Sequence, residues 1–375
     1  MNYPGYVKDV KKIAVLRANA LGDFVVTLPA LHALRATYPY AEIVLLGKPW
    51  HQEFLVRGRT PIDRVIIVPV KKGIRNEEDR AEDTNDVKAF FERMRKEQFD
   101  IAISFQGYGI SANPFLKQLG AKLTVGSWTK EAERVDRFIQ YYYYQPEVLR
   151  YLEIVKLIGA VTHETEPRLS VLESDKNEIR EIMSYLGGKP YVLINPVAND
   201  NRRMWPWENY IRLADSLRQD GIEVLFTGSE ADRMIADTII NGMQHQAINA
   251  CGVSIGGLAA LASSASLMVS PDTGPLHVAQ AVQCPTVGIY WAPNAINWAP
   301  LNRRIHRPVI SWKMECPYCG IIPNDPYPFE PSSTTCRHEI SFVRDITVDQ
   351  VYRAAEELLQ TSMDKKVRQK EFVYH

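Results

Sequence analysis

Short apolar runs recur along the whole chain, most of them apolar on successive residues instead of alternating, and each is followed by a stretch of helical periodicity. In the first half the runs cover residues 13–16, 43–46, 65–68, 101–105 and 123–125. In the second they cover 191–194, 223–226, 247–249, 267–269 and 286–289. A strand that is apolar on both faces must be covered on both, and helices crossing between parallel strands do that. Helical patterns over 26–37, 86–97, 147–158, 207–218, 231–240 and 256–263 supply the covers. The fold class expected is therefore α/β with parallel sheets. The helix over 147–158 ends in Gly159, polarity then rises, and Pro167 stops the pattern, so a boundary is expected between 162 and 167. For 375 residues, at roughly 150 per domain, this gives domains 1–165 and 166–345. A terminal segment, 346–375, holds a helix over 348–360 and a charged tail from Asp364.

Two segments carry the chemistry. Ser270-Pro271-Asp272-Thr273-Gly274-Pro275-Leu276-His277 lies between an apolar run and the helix-like residues 278–282. The first backbone N–H groups of a helix have no internal partner, so a strand, a small-residue turn and a helix start together make an anion site. Asp272 or Thr273 can cap the helix, Gly274 lets a ligand approach the backbone, and Pro275 suits the first turn. A plain strand–turn–helix connection carries the same residues. Upstream, Arg17-Ala18-Asn19-Ala20-Leu21-Gly22-Asp23 follows the first run and precedes a helix. Gly22 sits where a tight turn or a close ligand would need it. Asp23 is an N-cap carboxylate or, at the ligand-binding end of a parallel strand, a general base.

Composition removes other classes. The 44 basic and 44 acidic residues cancel, so no net charge draws the chain to nucleic acid or an anionic membrane. No apolar stretch reaches the length of a membrane span, and residues 1–7 lack the charged-then-apolar order of a secretory leader. A cytoplasmic protein with at most peripheral membrane contact is expected. Five cysteines in a reducing compartment do not suggest a disulfide framework. Cys316-Pro317-Tyr318-Cys319 followed by Cys336-Arg337-His338 offers three thiols and an imidazole, enough for a tetrahedral zinc. The Cys-x-His spacing differs from the usual zinc pairs, and the segment reads as loop cysteines without a metal. No Asp-x-Asp pair ends a strand, and no P-loop or Gly-x-Ser-x-Gly elbow is present.

The two segments, in this order and separation, resemble glycosyltransferase family 9, the ADP-heptose:lipopolysaccharide heptosyltransferases. The matching residues are Ile13-Ala14-Val15-Leu16-Arg17, Ala20-Leu21-Gly22-Asp23 and Thr27-Leu28-Pro29-Ala30-Leu31. Further on they are Asn195-Pro196, Arg203-Met204-Trp205-Pro206, and Asp272 through Ala279 with Pro285-Thr286-Val287. The resemblance implies the GT-B architecture: two Rossmann-like domains whose parallel sheets face a central cleft. It implies inverting, metal-independent transfer of a heptose from ADP-heptose, a substrate and not a cofactor, to a lipopolysaccharide inner-core acceptor.

Carried over residue by residue, it makes Asp23 the base, and it sets Arg203 and Arg202 against the leaving diphosphate. Thr273, Gly274 and Pro275 form the phosphate turn, Asp272 meets the donor sugar and His277 braces the turn. Glu230, just after the strand ending Thr227-Gly228-Ser229, is placed to hold the ribose hydroxyls or, equally, is a first-turn carboxylate favoured by the helix dipole. Asn19, Gly22, Gln106 and Tyr108 face the acceptor cleft. Arg203 stands where the family has Lys, and Asn19 where it commonly has Ser or Thr. Another nucleotide sugar, a non-lipopolysaccharide acceptor, or a non-catalytic nucleotide-binding relative remain as alternatives.

Overall fold

The computed structural model describes residues 5–77, 79–323 and 336–371, with 362–371 as backbone only. It divides into two compact units, Met1–Ser170 and Val171–His375. The first contains β1 (Lys12–Leu16), β2 (Glu42–Gly47), β3 (Arg64–Ile67), β4 (Ile101–Ser104), β5 (Leu123–Trp128) and β6 (Arg137–Gln140). They form one parallel sheet in the order β3-β2-β1-β4-β5-β6. The second contains β7 (Tyr191–Ile194), β8 (Glu223–Phe226), β9 (Ile248–Asn249), β10 (Leu267–Pro271), β11 (Thr286–Trp291) and β12 (His306–Ser311). Its parallel order is β12-β11-β10-β7-β8-β9. Numbered within its own unit, each sheet runs 3-2-1-4-5-6, the doubly wound order. Such a sheet binds ligands beyond the carboxyl ends of the two strands where winding reverses. Those are β1 and β4 in the first unit, and β7 and β10 in the second.

The strand sequences follow from two-sided burial. Val192, Ile194, Val224, Phe226, Leu267 and Val269 pack on one face with Tyr210, Leu213 and Leu217. Leu193, Leu225 and Met268 pack on the other with Leu261 and Ala279. In the first sheet, Ala14, Leu16, Val44 and Leu46 face Phe90, Phe91 and Phe115. Covering residues fall at helical spacing, as with Tyr210, Leu213, Ala214 and Leu217 of the helix Trp207–Gln219.

Several elements differ from expectation. The helix expected over 26–37 begins at Leu28, with Pro29 in its first turn, and a further short helix, Leu21–Val25, precedes it. β6 and β12 have no counterpart among the apolar runs. Each is the terminal strand of its sheet and only half-buried along most of its length. The last helix runs Val348–Glu371, past the expected end at 360, since no Gly or Pro comes after it to stop it. Among the described residues, no helix is long and apolar enough to cross a membrane.

Candidate active site

At the reversal of the first sheet the chain leaves β1 through Arg17, whose side chain is buried. The Arg17 guanidinium donates to the Phe105 carbonyl just after β4 and, through Nε at 3.0 Å, to the Asp23 carbonyl. Its Nη2 lies 3.1 Å from Asp23 Oδ1. The same arginine sits 5.2 Å from the ring centre of Tyr151, whose phenol is held well above its ordinary pKa by burial. Asp23 is not the N-cap. It is the third residue of the helix Leu21–Val25, and its Oδ2 accepts from the Ala20 N–H at 3.0 Å, closing the turn. With its side chain 24% exposed, the carboxylate is fixed on one side by a buried cation and open on the other. The carboxylate is thus held in one orientation and remains reachable from solvent.

Gly22 is buried inside that helix, so the turn precedes it and its backbone conformation does not call for glycine. Asn19 is half-buried, and its Oδ1 has no hydrogen-bond partner among the described residues. Tyr108 is half-buried, edge-on to Tyr141 at 5.8 Å. Gln106 is buried and fully engaged. Its Oε1 accepts from the Ala18 N–H at 2.9 Å, and its Nε2 donates to the carbonyls of Gly73 and Ile74 at 3.1 and 2.7 Å. It ties the β1 turn to the charged loop that begins at Lys71, committing both N–H donors of its amide and one acceptor site of its oxygen to the protein backbone.

At the reversal of the second sheet, β10 ends in Pro271 and the helix Gly274–Ala281 begins after Thr273. Thr273 makes no side-chain cap; its hydroxyl lies 3.3 Å from Ser270 Oγ and 3.5 Å from Asn195 Nδ2. Pro275 brings no N–H, His277 N–H bonds the Thr273 carbonyl at 3.4 Å, and no side chain caps the helix start. Asp272 is buried and gripped from three directions: His277 Nε2 at 3.2 Å, Asn294 Nδ2 at 2.7 Å, and Arg203. The Arg203 Nη1 donates to the Asp272 carbonyl at 2.9 Å and lies 3.7 Å from Oδ2. His277 in turn meets the side-chain amide of Gln280 through Nδ1 at 3.1 Å. Arg203 therefore reaches the Asp272–Gly274 turn while remaining 25% exposed.

Arg202 does not join it. The Arg202 guanidinium is spent on Asp200, with Nε at 2.9 Å and Nη2 at 2.7 Å from the carboxylate. Asp200, only two residues away in the sequence, is the local signal that sets Arg202 apart from Arg203. Glu230 lies at the start of a 3-10 turn, Glu230–Asp232, exposed and paired with Arg233 at 2.7 Å. The Arg233 hydrogen bond lowers its pKa. Arg17, Asn294 and Gln280 are the supporting residues that the motifs did not single out. Asn294 carried no local signal, because its partner Asp272 is 22 residues away, whereas Gln280 stands one helical turn after His277.

Two further features adjoin the second-unit site. A cavity of about 520 Å³ is lined by Pro196, Met204, Trp205, Ile235, Ile239 and Ser341 among others. Cys316, Cys319, Cys336 and His338, expected as loop residues without a metal, come together, with their ligand atoms all within 4.8 Å of one another.

The model of glycosyltransferase family 9 (heptosyltransferase) matches residues 87–317, more than half of the chain. The chain belongs to glycosyltransferase family 9. As a family 9 protein it is a glycosyltransferase. It is 24% identical over 308 residues to the lipopolysaccharide core heptosyltransferase OpsX of Haemophilus influenzae, covering 80% of this chain and 84% of that protein. The solved family 9 glycosyltransferase of Veillonella parvula superimposes with a TM-score of 0.73 at 21% identity, covering 94% of this chain and 97% of that one. ADP-heptose lipopolysaccharide heptosyltransferase II of Escherichia coli gives a TM-score of 0.68 at 18% identity, covering 94% and 99%. These likenesses establish the α/β, GT-B-like fold for this family 9 chain.

Proposed function

We propose that this family 9 glycosyltransferase moves a heptose from ADP-heptose, with inversion, to an inner-core lipopolysaccharide acceptor, with no metal at the donor phosphates. The observation that carries the reading is the pair of fittings at the two winding reversals. One is a half-open carboxylate, Asp23, fixed by a buried arginine. The other is a helix start without a side-chain cap, flanked by a partly exposed arginine, Arg203. The named relatives, which are lipopolysaccharide heptosyltransferases, support the choice of donor and acceptor.

In this reading an acceptor hydroxyl gives its proton to Asp23 while its oxygen forms a bond to the anomeric carbon. The bond from that carbon to the diphosphate breaks on the opposite face, so configuration inverts. The electron pair leaves with the diphosphate. Arg203 and the amides at the start of Gly274–Ala281 meet that charge in a preorganised way. Asp272, its carboxylate held by His277 and Asn294, accepts hydrogen bonds from sugar hydroxyls. Glu230 meets the ribose after loosening from Arg233. Because the acceptor is a glycolipid, the protein works as a peripheral visitor to the cytoplasmic face of the inner membrane.

Asp23→Asn keeps the shape and removes the base. Transfer should fall by about 10²–10⁴-fold while calorimetric ADP affinity stays within about twofold. Retention of more than a tenth of wild-type turnover would exclude Asp23 as the base. Titration with UDP, GDP and CMP beside ADP, with and without Mg²⁺, tests the donor. Preference for another nucleotide, or a requirement for Mg²⁺, would overturn that part.

A further inference from the structure

We propose that Cys316, Cys319, Cys336 and His338 bind one thiophilic divalent ion, Zn²⁺ or Fe²⁺, and that this ion locks the segment holding the Arg203 loop in place. The donor set is three thiols and one imidazole. For metal–sulfur bonds of about 2.3 Å and metal–nitrogen bonds of about 2.05 Å at tetrahedral angles, sulfur and nitrogen should stand about 3.6 Å apart. The His338 Nδ1 lies 3.6 Å from Cys316 Sγ and 3.8 Å from Cys336 Sγ. Cys316 through Gly320 form a tight knuckle. Gly320 has φ +70° and donates to the Cys316 carbonyl at 2.8 Å, and Cys316 N–H donates to the Ile321 carbonyl at 2.8 Å. Cys316 is buried in the core with Trp291 and Phe342, whereas Cys319 is exposed, so an ion would join the core to the surface loop. The Tyr318 ring lies 5.2 Å from that of His338, tilted by 33°.

The segment just beyond His338 gives the ion a purpose. Residues 339–346 are sewn to the loop 201–205. Asn201 Nδ2 donates to Glu339 at 3.2 Å, Phe342 N–H to the Arg202 carbonyl at 2.8 Å, Ser341 Oγ to the Met204 carbonyl at 2.6 Å, and Trp205 Nε1 to the Ile346 carbonyl at 2.8 Å. Those bonds hold the backbone on both sides of Arg203, whose guanidinium reaches Asp272. Without a metal, three thiols and an imidazole have little to hold them together, and the segment loses its anchor immediately before the first of these contacts. This second part rests on Arg203 serving the donor phosphates.

The test compares the full-length protein, purified anaerobically without chelator, with Cys319→Ser/Cys336→Ser, which spares the buried Cys316. Elemental analysis should give about one zinc or iron per wild-type chain and less than a tenth of that in the variant. A colourless protein marks zinc, and visible thiolate charge-transfer bands mark iron. Fewer than a tenth of an equivalent in the wild type after reconstitution with either ion, or equal retention by the variant, overturns the site. Calorimetry should then show ADP binding about tenfold weaker in the variant, with circular dichroism unchanged. Unaltered affinity overturns the anchoring role but leaves the site. If Arg203→Met also binds ADP normally, the donor reading has failed instead of the anchor.

Discussion

Replacing Arg203 by Met should separate the roles of the two adjacent arginines. Arg203 contributes one charged fork, of which Nη1 is engaged with the Asp272 carbonyl at 2.9 Å and the side chain is 25% exposed. A hydrogen bond to a charged group is worth about 1.5–3 kcal/mol net, so ADP affinity should drop roughly 10- to 150-fold. The loss should be larger in turnover, because charge grows on the diphosphate as the sugar leaves. Removing one preorganised donor to developing charge costs about 10²–10³ in kcat. Arg203→Lys keeps the charge but cannot span the Asp272 carbonyl and a phosphate together, so a loss of about tenfold is expected. Arg202→Ala is the control. That guanidinium is already bidentate on Asp200, so affinity should change by less than about threefold, as expected for a neutralised surface pair. Calorimetric ADP titration and chromatographic release of ADP from the donor read both quantities. Wild-type ADP binding by Arg203→Met, or equal damage from Arg202→Ala, would refute the assignment.

Gln106→Ala strips the Ala18 N–H of its buried partner and should cost about 1–3 kcal/mol of stability, seen as a lower urea midpoint. Loss of acceptor affinity at unchanged stability would return Gln106 to the glycan. Burial holds His51 down at about 3 and His306 at about 4, against an ordinary value of 6.5. Both fold as neutral rings, so their stabilising effect is complete above pH 6.5 and is lost as pH falls below it. Each contributes a slope of up to about 1.4 kcal/mol per pH unit. His51→Gln should flatten urea-derived stability between pH 6.5 and 5, and an unchanged slope would remove His51 from the account.

The central strands were legible because both their faces are buried, so their residues are apolar in succession. β6 and β12 were not, since these half-buried edge strands, RFIQ and HRPVIS, lack the unbroken apolar run that the equally terminal β3, RVII, keeps. β12 carries Pro308 in mid-strand, a position that an edge strand accommodates more readily than a central one. Asp23 and the Asp272–Gly274 turn could be read from their positions after strands. The engagement of Gln106 with residues 73 and 74 could not, because those partners are more than thirty residues away. Cys316, Cys319, Cys336 and His338 could be named from the sequence as a tetrahedral donor set, but only the fold decides that they meet, since Cys316 and His338 are 22 residues apart. Short motifs reveal what a turn can do, and long-range contacts decide which side chains remain available to do it.

The repeated winding has a consequence for how such a chain diversifies. Each sheet closes around its own core, and each carries its own binding reversal. The loops after β1 and β4 can thus drift toward a different glycan without disturbing the packing that holds Arg203 and Asp272. The loops after β7 and β10 can likewise be retuned without loosening Asp23 from Arg17. On the proposed division of labour, acceptor choice and donor choice are inherited as separate traits, and a chimera that exchanges Val171–His375 for the matching half of a relative should import that relative's nucleotide sugar alone.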